Sequence, residues 1–254
     1  MPPVGSTVTN IVDRLRAPRP TACDTCTVRD RTFCSVLSAD EIARIRATLR
    51  AVTVDTHTTL FAEGEPAAHL FNVTSGTVKT YKLLPDGRRQ ITGFAFAGDF
   101  LGVTVDPAHA YSAEAVTPAT LCRFDRARLM KLVDEMPHME KHIAVTLAHE
   151  LVLAQDQMLL LGRKTAKERI ASFLMMLLRR REAHRCPAQP EPRPVSVALP
   201  MSRADIGDYL GLTIETVSRT LTQLRRQGVI GFDDATRAEV LDRRRLEIMA
   251  QGSA

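Results

Sequence analysis

The sequence predicts an α+β fold in which a small β-roll is followed by a long helix and then by a C-terminal helix-turn-helix unit. Short β-prone runs separated by turn residues lie between residues 52 and 124. Apolar residues then recur at spacings of three and four from residue 144 to residue 161, which is typical of a long amphipathic helix. A capped helix, a glycine turn and a second capped helix follow residue 200.

Composition limits the classes of protein to which the chain can belong. Its 254 residues, of which 44% are hydrophobic, are enough for two domains. The first six residues show no basic segment followed by an apolar run, and no stretch reaches the roughly 18 apolar residues that a membrane span requires. We therefore expect a cytoplasmic protein without a membrane partner.

Three cysteines lie within twelve residues near the N-terminus, on an arm that is rich in proline and lacks periodicity. The odd total of five cysteines argues against a secreted disulfide framework and favours reduced thiols. The spacing Cys23-x2-Cys26-x7-Cys34 predicts soft ligands for a metal centre, and thiolates suit zinc and iron–sulfur clusters equally. On spacing alone, zinc, a cluster and unliganded redox-reactive thiols all stay open.

A fourth ligand would have to come from a distant part of the chain. Cys122 lies on the last predicted strand, whereas Cys186 lies in a linker rich in proline. Cysteine is also a common small residue of protein cores. Cys122 can therefore be either a distant ligand or an ordinary buried residue.

A short helix precedes the predicted roll. Ser38 is its expected N-cap and Glu41 occupies the capping-box position. Ile42, Ile45 and Leu49 recur at helical spacing, so all three are expected on the buried side of this helix. Strands closely spaced enough to form a small barrel or roll are then predicted at residues 52–54, 70–73, 77–84 and 89–96, with a last strand at residues 119–124.

The long helix is predicted from Pro137 to Arg163. Its a and d positions are Ala144, Leu147, Leu151, Ala154, Met158 and Leu161, which are referred to below as the dimer seam. Such a pattern predicts a homodimer joined by a coiled-coil contact, and the seam is expected to be narrow, as in a two-stranded contact. A helix packed against its own domain is the alternative.

The C-terminal part is predicted to form a helix-turn-helix. A helix near Ala166–Arg181 and a proline-rich linker come first. Ser202 then caps a helix that ends at Gly211, and Thr213 caps a second helix that stops at Gly228. In this arrangement the second helix enters the DNA major groove. Residues 163–254 carry 17 Lys and Arg against 11 Asp and Glu, which fits a nucleic-acid partner or an ordinary basic face.

The second helix has two faces at a period of 3.6 residues. Val217, Leu221 and Leu224 point inward. The outward residues can read bases, since arginine pairs with guanine, a carboxylate accepts from cytosine, and hydroxyls adapt to either; these residues are Glu215, Ser218, Arg219 and Thr222. Arg203, Arg225 and Arg226 are better placed to contact phosphates. A plain surface ion pair between Glu215 and Arg219 is the alternative.

Two segments resemble the CRP/FNR family of bacterial regulators. Residues 205–219, DIGDYLGLTIETVSR, resemble its recognition element, and residues 157–166, QMLLLGRKTA, resemble the end of its dimer helix. The resemblance implies a cyclic-nucleotide-binding-like β-roll as sensor domain, a dimerisation helix and a winged helix-turn-helix. The implied divisions are an N-terminal arm with a short helix at residues 1–50, the sensor domain at 51–136, the dimerisation helix at 137–164 and the DNA-binding domain at 165–254.

Resemblance to the FNR branch supplies the finer expectations. It implies that Cys23, Cys26, Cys34 and Cys122 hold a [4Fe–4S] cluster that senses oxygen, and the x7 spacing resembles the alphaproteobacterial members. It also implies a transcription activator whose Glu215, Ser218 and Arg219 read TTGAT-type half-sites of an inverted repeat in double-stranded DNA. RNA polymerase would contact the turn at residues 85–87. A regulator with structural zinc and no oxygen response is the alternative.

The sequence lacks the residues that cyclic-nucleotide binding or an enzymatic activity would need. In relatives that bind cyclic nucleotides, an Arg-Ser or Arg-Thr pair contacts the ligand phosphate, but here the pair is Tyr111-Ser112. A glutamate follows the glycine turn in those relatives, whereas here Val103 follows the turn at Gly98–Gly102. We therefore expect no cyclic nucleotide. No nucleophile–base pair or phosphate loop indicates an enzyme or electron carrier.

Overall fold

The computed structural model describes residues 23, 26–183, 194–234 and 236–252. Cys186 lies outside these residues. The chain divides into two compact units, Met1–Thr146 and Leu147–Ala254, and one long helix contributes to both.

Within the described residues, the first unit contains eight strands and two short α-helices before the long helix begins. Its elements are α1 (Ala39–Arg46), β1 (Leu49–Val54), β2 (Thr59–Phe61), β3 (His69–Ser75), β4 (Val78–Leu83), β5 (Arg89–Ala95), β6 (Phe100–Leu101), β7 (Ser112–Ala115), β8 (Ala119–Asp125), α2 (Arg126–Asp134) and α3 (Pro137–Arg163). Two short 3-10 turns, Arg29–Arg31 and Phe33–Val36, precede α1. The bounds of α3 are those that its apolar spacing predicts.

The strands form the predicted roll. One antiparallel sheet has the order β1-β8-β3-β6 and the other has the order β2-β7-β4-β5. Side chains from both sheets share an apolar core that includes Val52, Phe71, Val78, Ala113 and Leu121. Alternate side chains of β3 and β8 point to the opposite face, where Leu70, Cys122 and Phe124 belong to a second apolar cluster.

The helix before the roll begins as predicted but ends earlier. Ser38 Oγ accepts a hydrogen bond from the Glu41 amide, and the Glu41 carboxylate accepts one from the Ser38 amide at 2.8 Å. The expectation that Leu49 belongs to this helix is wrong, because α1 ends at Arg46 and Leu49 begins β1, opposite Phe124. Leu49 nevertheless packs against the same apolar cluster as Ile42 and Ile45.

The second unit is a winged helix-turn-helix, built on the C-terminal part of α3. Its further elements are α4 (Ala166–Ala183), β9 (Val195–Ala198), α5 (Arg203–Leu210), α6 (Ile214–Arg226), β10 (Ile230–Asp234), β11 (Arg237–Val240) and α7 (Arg243–Gln251). The three strands form an antiparallel sheet of order β10-β11-β9, which supplies the wing. None of the helices in the described ranges is long and apolar enough to cross a membrane.

Candidate DNA-binding surface and cysteine site

The turn between α5 and α6 depends on two glycines. Gly211 ends α5 at a φ of 62°, in the left-handed region that glycine adopts without strain. Gly207 lies inside α5, and a Cβ at this position would come within 2.6 Å of the Leu212 carbonyl oxygen. The absence of a side chain at Gly207 therefore lets the chain fold back closely enough to begin α6 directly after the turn.

Both helices of the motif begin at side-chain caps. Asp205 is buried, and its carboxylate accepts hydrogen bonds from the Ser202 amide at 3.2 Å and from the Ser202 hydroxyl at 2.7 Å. The Thr213 hydroxyl accepts a hydrogen bond from the Thr216 amide at 3.2 Å. These caps fix the first turns of α5 and α6, as the sequence predicts.

The two faces of α6 follow the prediction. Val217, Leu221 and Leu224 are buried. The predicted base-reading residues are all exposed, namely Glu215, Ser218, Arg219 and Thr222. The outward face therefore presents a carboxylate, two hydroxyls and a guanidinium within two helical turns, which is the donor and acceptor set that base edges require.

Glu215 is held in its charged form at the start of α6. A hydrogen bond from its own backbone, a second from the Thr213 hydroxyl and the positive charge of Arg219 lower the pKa of the Glu215 carboxyl. The Arg219 Nε donates to the Glu215 carbonyl oxygen at 3.4 Å. Glu215 and Arg219 are thus adjacent, and Glu215 is an ionised hydrogen-bond acceptor at neutral pH.

Arg203 presents a cation beside the recognition helix. Its guanidinium carbon lies 5.2 Å from the centre of the Phe232 ring on the wing, and its partial burial lowers its pKa. No described residue accepts a hydrogen bond from its buried Nη1. Arg203 lines one shallow surface depression together with Ser218, Thr222 and Arg225. A half-buried guanidinium with an unused donor is suited to bind a phosphate oxygen of DNA.

A clamp that the sequence analysis missed joins the C-terminal part of α3 to the helix-turn-helix. Arg169 donates to the carbonyl oxygens of Leu161, Lys164 and Leu210 at 2.8 to 2.9 Å. The Gln157 side chain also donates to the Tyr209 carbonyl at 2.8 Å. The end of the long helix and the turn before α6 are therefore held together by side-chain hydrogen bonds to backbone oxygens.

The dimer seam is mostly exposed in the single chain. Leu151 is 60% exposed and Met158 is 64% exposed, although both are large and apolar, and Leu161 is half-buried. The exposed apolar surface of α3 is wider than the predicted seam, since further large apolar side chains are exposed there, namely Val145, Val152, Leu153 and Leu159. An apolar surface this extensive on one helix is typical of a protein–protein contact.

The cysteine site brings the N-terminal arm against β8. Cys122 is 8% exposed and lies in the apolar cluster that also contains Phe33, Phe124 and the partly buried Cys34. The rings of Phe33 and Phe124 have centroids 5.5 Å apart. The cluster continues into the start of α3 through Met139. The site therefore lies between the arm, the outer face of the roll and the first turns of the long helix.

The other predicted ligands act electrostatically on Cys34 and Cys122. Burial raises the pKa of the Cys122 thiol to about 12, and repulsion from Cys23, Cys26 and Cys34 contributes to the rise. Burial also raises the pKa of Cys34, against the lowering effect of a hydrogen bond from Thr32. Without a metal centre Cys122 is a protonated thiol at neutral pH, so a centre that binds it must displace that proton.

The donor set consists of thiols, which suit zinc and iron–sulfur clusters alike. Among the described residues, no three His, Cys, Asp or Glu side chains are gathered tightly enough to hold one metal ion. Zinc would require its sulfurs at about 2.3 Å from one centre. In a [4Fe–4S] cluster each thiolate binds a different iron, so the four sulfurs would lie further apart than they would around one zinc ion.

In the part of the roll where a cyclic phosphate would be expected, side chains form hydrogen bonds and ring contacts with other groups of the protein. The Gly102 amide donates to the Tyr111 hydroxyl at 2.9 Å. The His109 ring stacks on Phe61 with centroids 3.8 Å apart, and the Ser112 hydroxyl accepts from the Glu63 amide at 2.9 Å.

Two family models match the chain, and relatives cover most of its length. A cyclic nucleotide-binding domain model matches residues 51–136, and a Crp-like helix-turn-helix domain model matches residues 168–249. The nitrogen fixation regulation protein FixK of Bradyrhizobium diazoefficiens is 41% identical over 228 residues, which are 90% of this chain and 93% of that protein. The transcriptional activator protein FnrL of Cereibacter sphaeroides is 33% identical over 224 residues, which are 88% and 90% of the respective chains.

A solved structure gives the same result for the fold. FixK2 from Bradyrhizobium japonicum matches with a TM-score of 0.72 at 41% identity, over 79% of this chain and 96% of that one. A winged helix-turn-helix with an exposed polar face on α6 defines the class: this is a DNA-binding transcription regulator and not an enzyme. The chain belongs to the CRP/FNR family, whose members act as dimers.

Proposed function

We propose that this regulator senses oxygen through a [4Fe–4S] cluster held by Cys23, Cys26, Cys34 and Cys122, and that the cluster-loaded homodimer activates transcription. The observation that carries the proposal is that Cys34 of the arm and Cys122 of β8 pack in one apolar cluster against α3, while Cys23 and Cys26 act electrostatically on both thiols. Zinc is the competing occupant, because thiolates bind zinc as well as iron–sulfur clusters.

Ligation would tie the arm to the roll at the point where the long helix begins. Cys34 and Cys122 pack in the same apolar cluster as Met139 and Ile143 of α3. When bound, the cluster would supply the reactivity towards oxygen. Losing it would leave Cys122 a neutral buried thiol and release the arm from β8. The first turns of α3 would then lose packing partners, which weakens pairing along the dimer seam.

DNA recognition would use the exposed face of α6. Glu215, Ser218 and Arg219 would read the bases of a TTGAT-type half-site, and Arg203, Arg225 and Arg226 would contact phosphates. Two protomers joined at the seam would read an inverted repeat, because a symmetric dimer fits a symmetric site. The names of relatives such as FnrL and AadR describe activators, which supports the same role here.

Activation would also require a contact with RNA polymerase, for which the β4–β5 hairpin is the proposed surface. Its turn, at residues 85–87, follows the exposed apolar side chains of Leu83 and Leu84. Gly87 has a φ of 86° and donates to the Leu84 carbonyl at 2.9 Å, so the turn has a defined shape.

Anaerobic purification with iron, sulfide and zinc counts tests the proposal. We expect a brown protein with about four irons and four sulfides per chain, which loses both its colour and its specific DNA binding in air. Cys122→Ala should prevent cluster binding, whereas Cys186→Ala is the matched control and should retain it. A colourless, zinc-loaded protein that binds the inverted repeat equally well in air would favour the zinc regulator instead.

A further inference from the structure

A buried amide on β3 has no evident structural purpose. Asn72 is 3% exposed, and no described residue gives a hydrogen bond to its Oδ1 atom. Burying an amide without hydrogen-bond partners destabilises a fold, so an apolar residue at this position would ordinarily be preferred. Asn72 is therefore a candidate for a role other than packing.

The strand register puts Asn72 next to Cys122. In the sheet of order β1-β8-β3-β6, Asn72 on β3 lies directly opposite Cys122 on β8 and opposite Phe100 on β6. Cys122 in turn lies opposite Ala51 on β1. Directly opposed residues of an antiparallel pair share one face, with Cβ atoms about 4.5–5.5 Å apart. Asn72 and Cys122 are therefore immediate neighbours in one row across the sheet.

This row belongs to the face that the N-terminal arm covers. Leu70, two residues before Asn72, packs in the cluster with Cys122 and Phe33. Phe71 and Val73, the neighbours of Asn72 in the chain, instead enter the core between the two sheets. Because strand side chains alternate, the amide of Asn72 lies on the side of the cysteine site.

We propose that Asn72 is a positioning residue whose side-chain amide donates a hydrogen bond to the Cys122 sulfur when that sulfur is ligated as a thiolate. This inference rests on the proposed cluster. A neutral thiol is a weak hydrogen-bond partner, whereas a thiolate is an acceptor that an amide NH2 group can satisfy. The Nδ2 group of Asn72 would gain this acceptor only in the loaded protein, and Oδ1 would still accept no hydrogen bond from a described residue.

Such a bond would act on the lifetime and the redox properties of the cluster. Hydrogen bonds to the sulfurs are among the factors that set the reduction potential of an iron–sulfur centre. Loss of a partner of a metal ligand typically lowers metal affinity by about 10–100-fold. Removing the donor at residue 72 should therefore shorten the lifetime of the cluster and make its midpoint potential more negative, without destabilising the metal-free protein.

The test compares two variants of equal shape. Asn72→Thr retains a hydrogen-bond donor, whereas Asn72→Val removes it, and both residues suit a strand. Each protein would be reconstituted anaerobically, and its midpoint potential and the half-life of its absorption at a fixed oxygen concentration would be recorded. Thermal unfolding of the metal-free proteins would be measured in parallel. Thr74→Val, on the same strand, is the control for the loss of a hydroxyl away from the cysteines.

We expect the cluster of Asn72→Val to decay about tenfold faster than that of Asn72→Thr, with a more negative potential, while metal-free Asn72→Val unfolds at the same or a higher temperature. Equal lifetimes and potentials in the two variants would overturn the role of Asn72. So would a lifetime loss matched by a lower unfolding temperature, because that indicates a packing effect alone. If the wild-type chain takes up no cluster under these conditions, the proposed function itself fails.

Discussion

The helix-turn-helix and the cysteine site differ in how their parts come together. The helix-turn-helix is formed by one continuous segment, from the Ser202 cap to the end of α6 at Arg226. The cysteine site joins an arm that ends near Cys34 to Cys122, which is on the eighth strand. The first depends on local caps and close turns, whereas the second exists only after the roll has folded.

The two regions also differ in the charge that their functional side chains carry when nothing is bound. Glu215 has a lowered pKa, so it already carries its charge without DNA. Cys122 has a pKa raised to about 12, so it is not yet a ligand without a metal centre. The base-reading face is therefore already charged in the single chain, whereas the proposed ligand Cys122 would have to lose its proton to bind a metal centre. Substitutions on α6 should thus disable DNA reading while the cysteine site and dimer pairing stay intact.

The largest expected effect is on dimer pairing along α3, the helix that lies between the two regions in the sequence. Leu151→Asp would place a carboxylate from each protomer in the apolar dimer contact. Burying these charges should weaken the dimer by about 4 kcal/mol, or roughly 1,000-fold in its dissociation constant. Anaerobic sedimentation velocity over a range of concentrations measures this. His149→Asp lies on the same helix away from the seam and should remain dimeric, and equal dissociation of both variants would contradict the seam.

The second prediction tests whether a close backbone contact within the helix-turn-helix is needed for the stability of the C-terminal unit. Gly207→Ala should destabilise the C-terminal unit by about 2–3 kcal/mol, because the new Cβ meets the Leu212 carbonyl oxygen at 2.6 Å. Gly162→Ala is the matched control, since a methyl group there would meet no described atom within 4 Å outside its own helix backbone. That variant should be more stable by about 0.5–1 kcal/mol, from helix propensity. Urea unfolding of both variants gives the comparison, and a stabilised Gly207→Ala would refute the close approach.

The third effect concerns the clamp between α3 and the turn. Arg169→Leu leaves the carbonyls of Leu161 and Leu210 without their donor. We expect a loss of about 2 kcal/mol in specific DNA affinity with an unchanged dimer dissociation constant. The reason is that α6 keeps its base-reading side chains but is no longer held in position. Fluorescence anisotropy with a labelled inverted repeat measures the affinity. If affinity stays at the wild-type value while unfolding stability falls, the clamp is structural only.

The last comparison separates base reading from phosphate binding, and its phosphate variant has the smallest expected effect. Arg219→Ala should cost about 1–3 kcal/mol on the cognate site and reduce discrimination against a changed guanine. Arg226→Ala should cost about 1 kcal/mol on all sequences and lower the slope of log affinity against log salt by about one. Titrations at several salt concentrations with cognate and altered sites distinguish the two. Similar behaviour of both variants would mean that Arg219 also contacts phosphate.

Sequence predicted the helical parts better than the short strands. The caps at Ser38, Ser202 and Thr213 are local signals, and each begins a helix where expected. Strands β2, β6 and β7 have two to four residues each and were missed, because so short a run shows no clear alternation. The helical spacing of Leu49 predicts the wrong element, because it coincides there with the start of a strand.

Long-range relations could not be predicted from the residues alone. Asn72 lies opposite Cys122 only because β3 pairs with β8, a strand much further along the chain. Arg169 acts on carbonyl oxygens, which every residue possesses, so no sequence pattern identifies its partners. The family resemblance supplied Cys122 as the fourth ligand, and its burial beside Cys34 adds a physical reason for that choice.

The exposed leucines and methionine of α3 also have a consequence for how this protein behaves in dilute solution. Leu147, Leu151 and Met158 would face water in an isolated protomer, so the protomer would tend to self-associate or aggregate nonspecifically. Apparent thermal stability should rise with protein concentration, because mass action favours the paired form. In a cell, newly made protomers at low copy number would be more exposed to chaperones and proteases than assembled ones. The rate of synthesis would then help to set how much functional regulator accumulates.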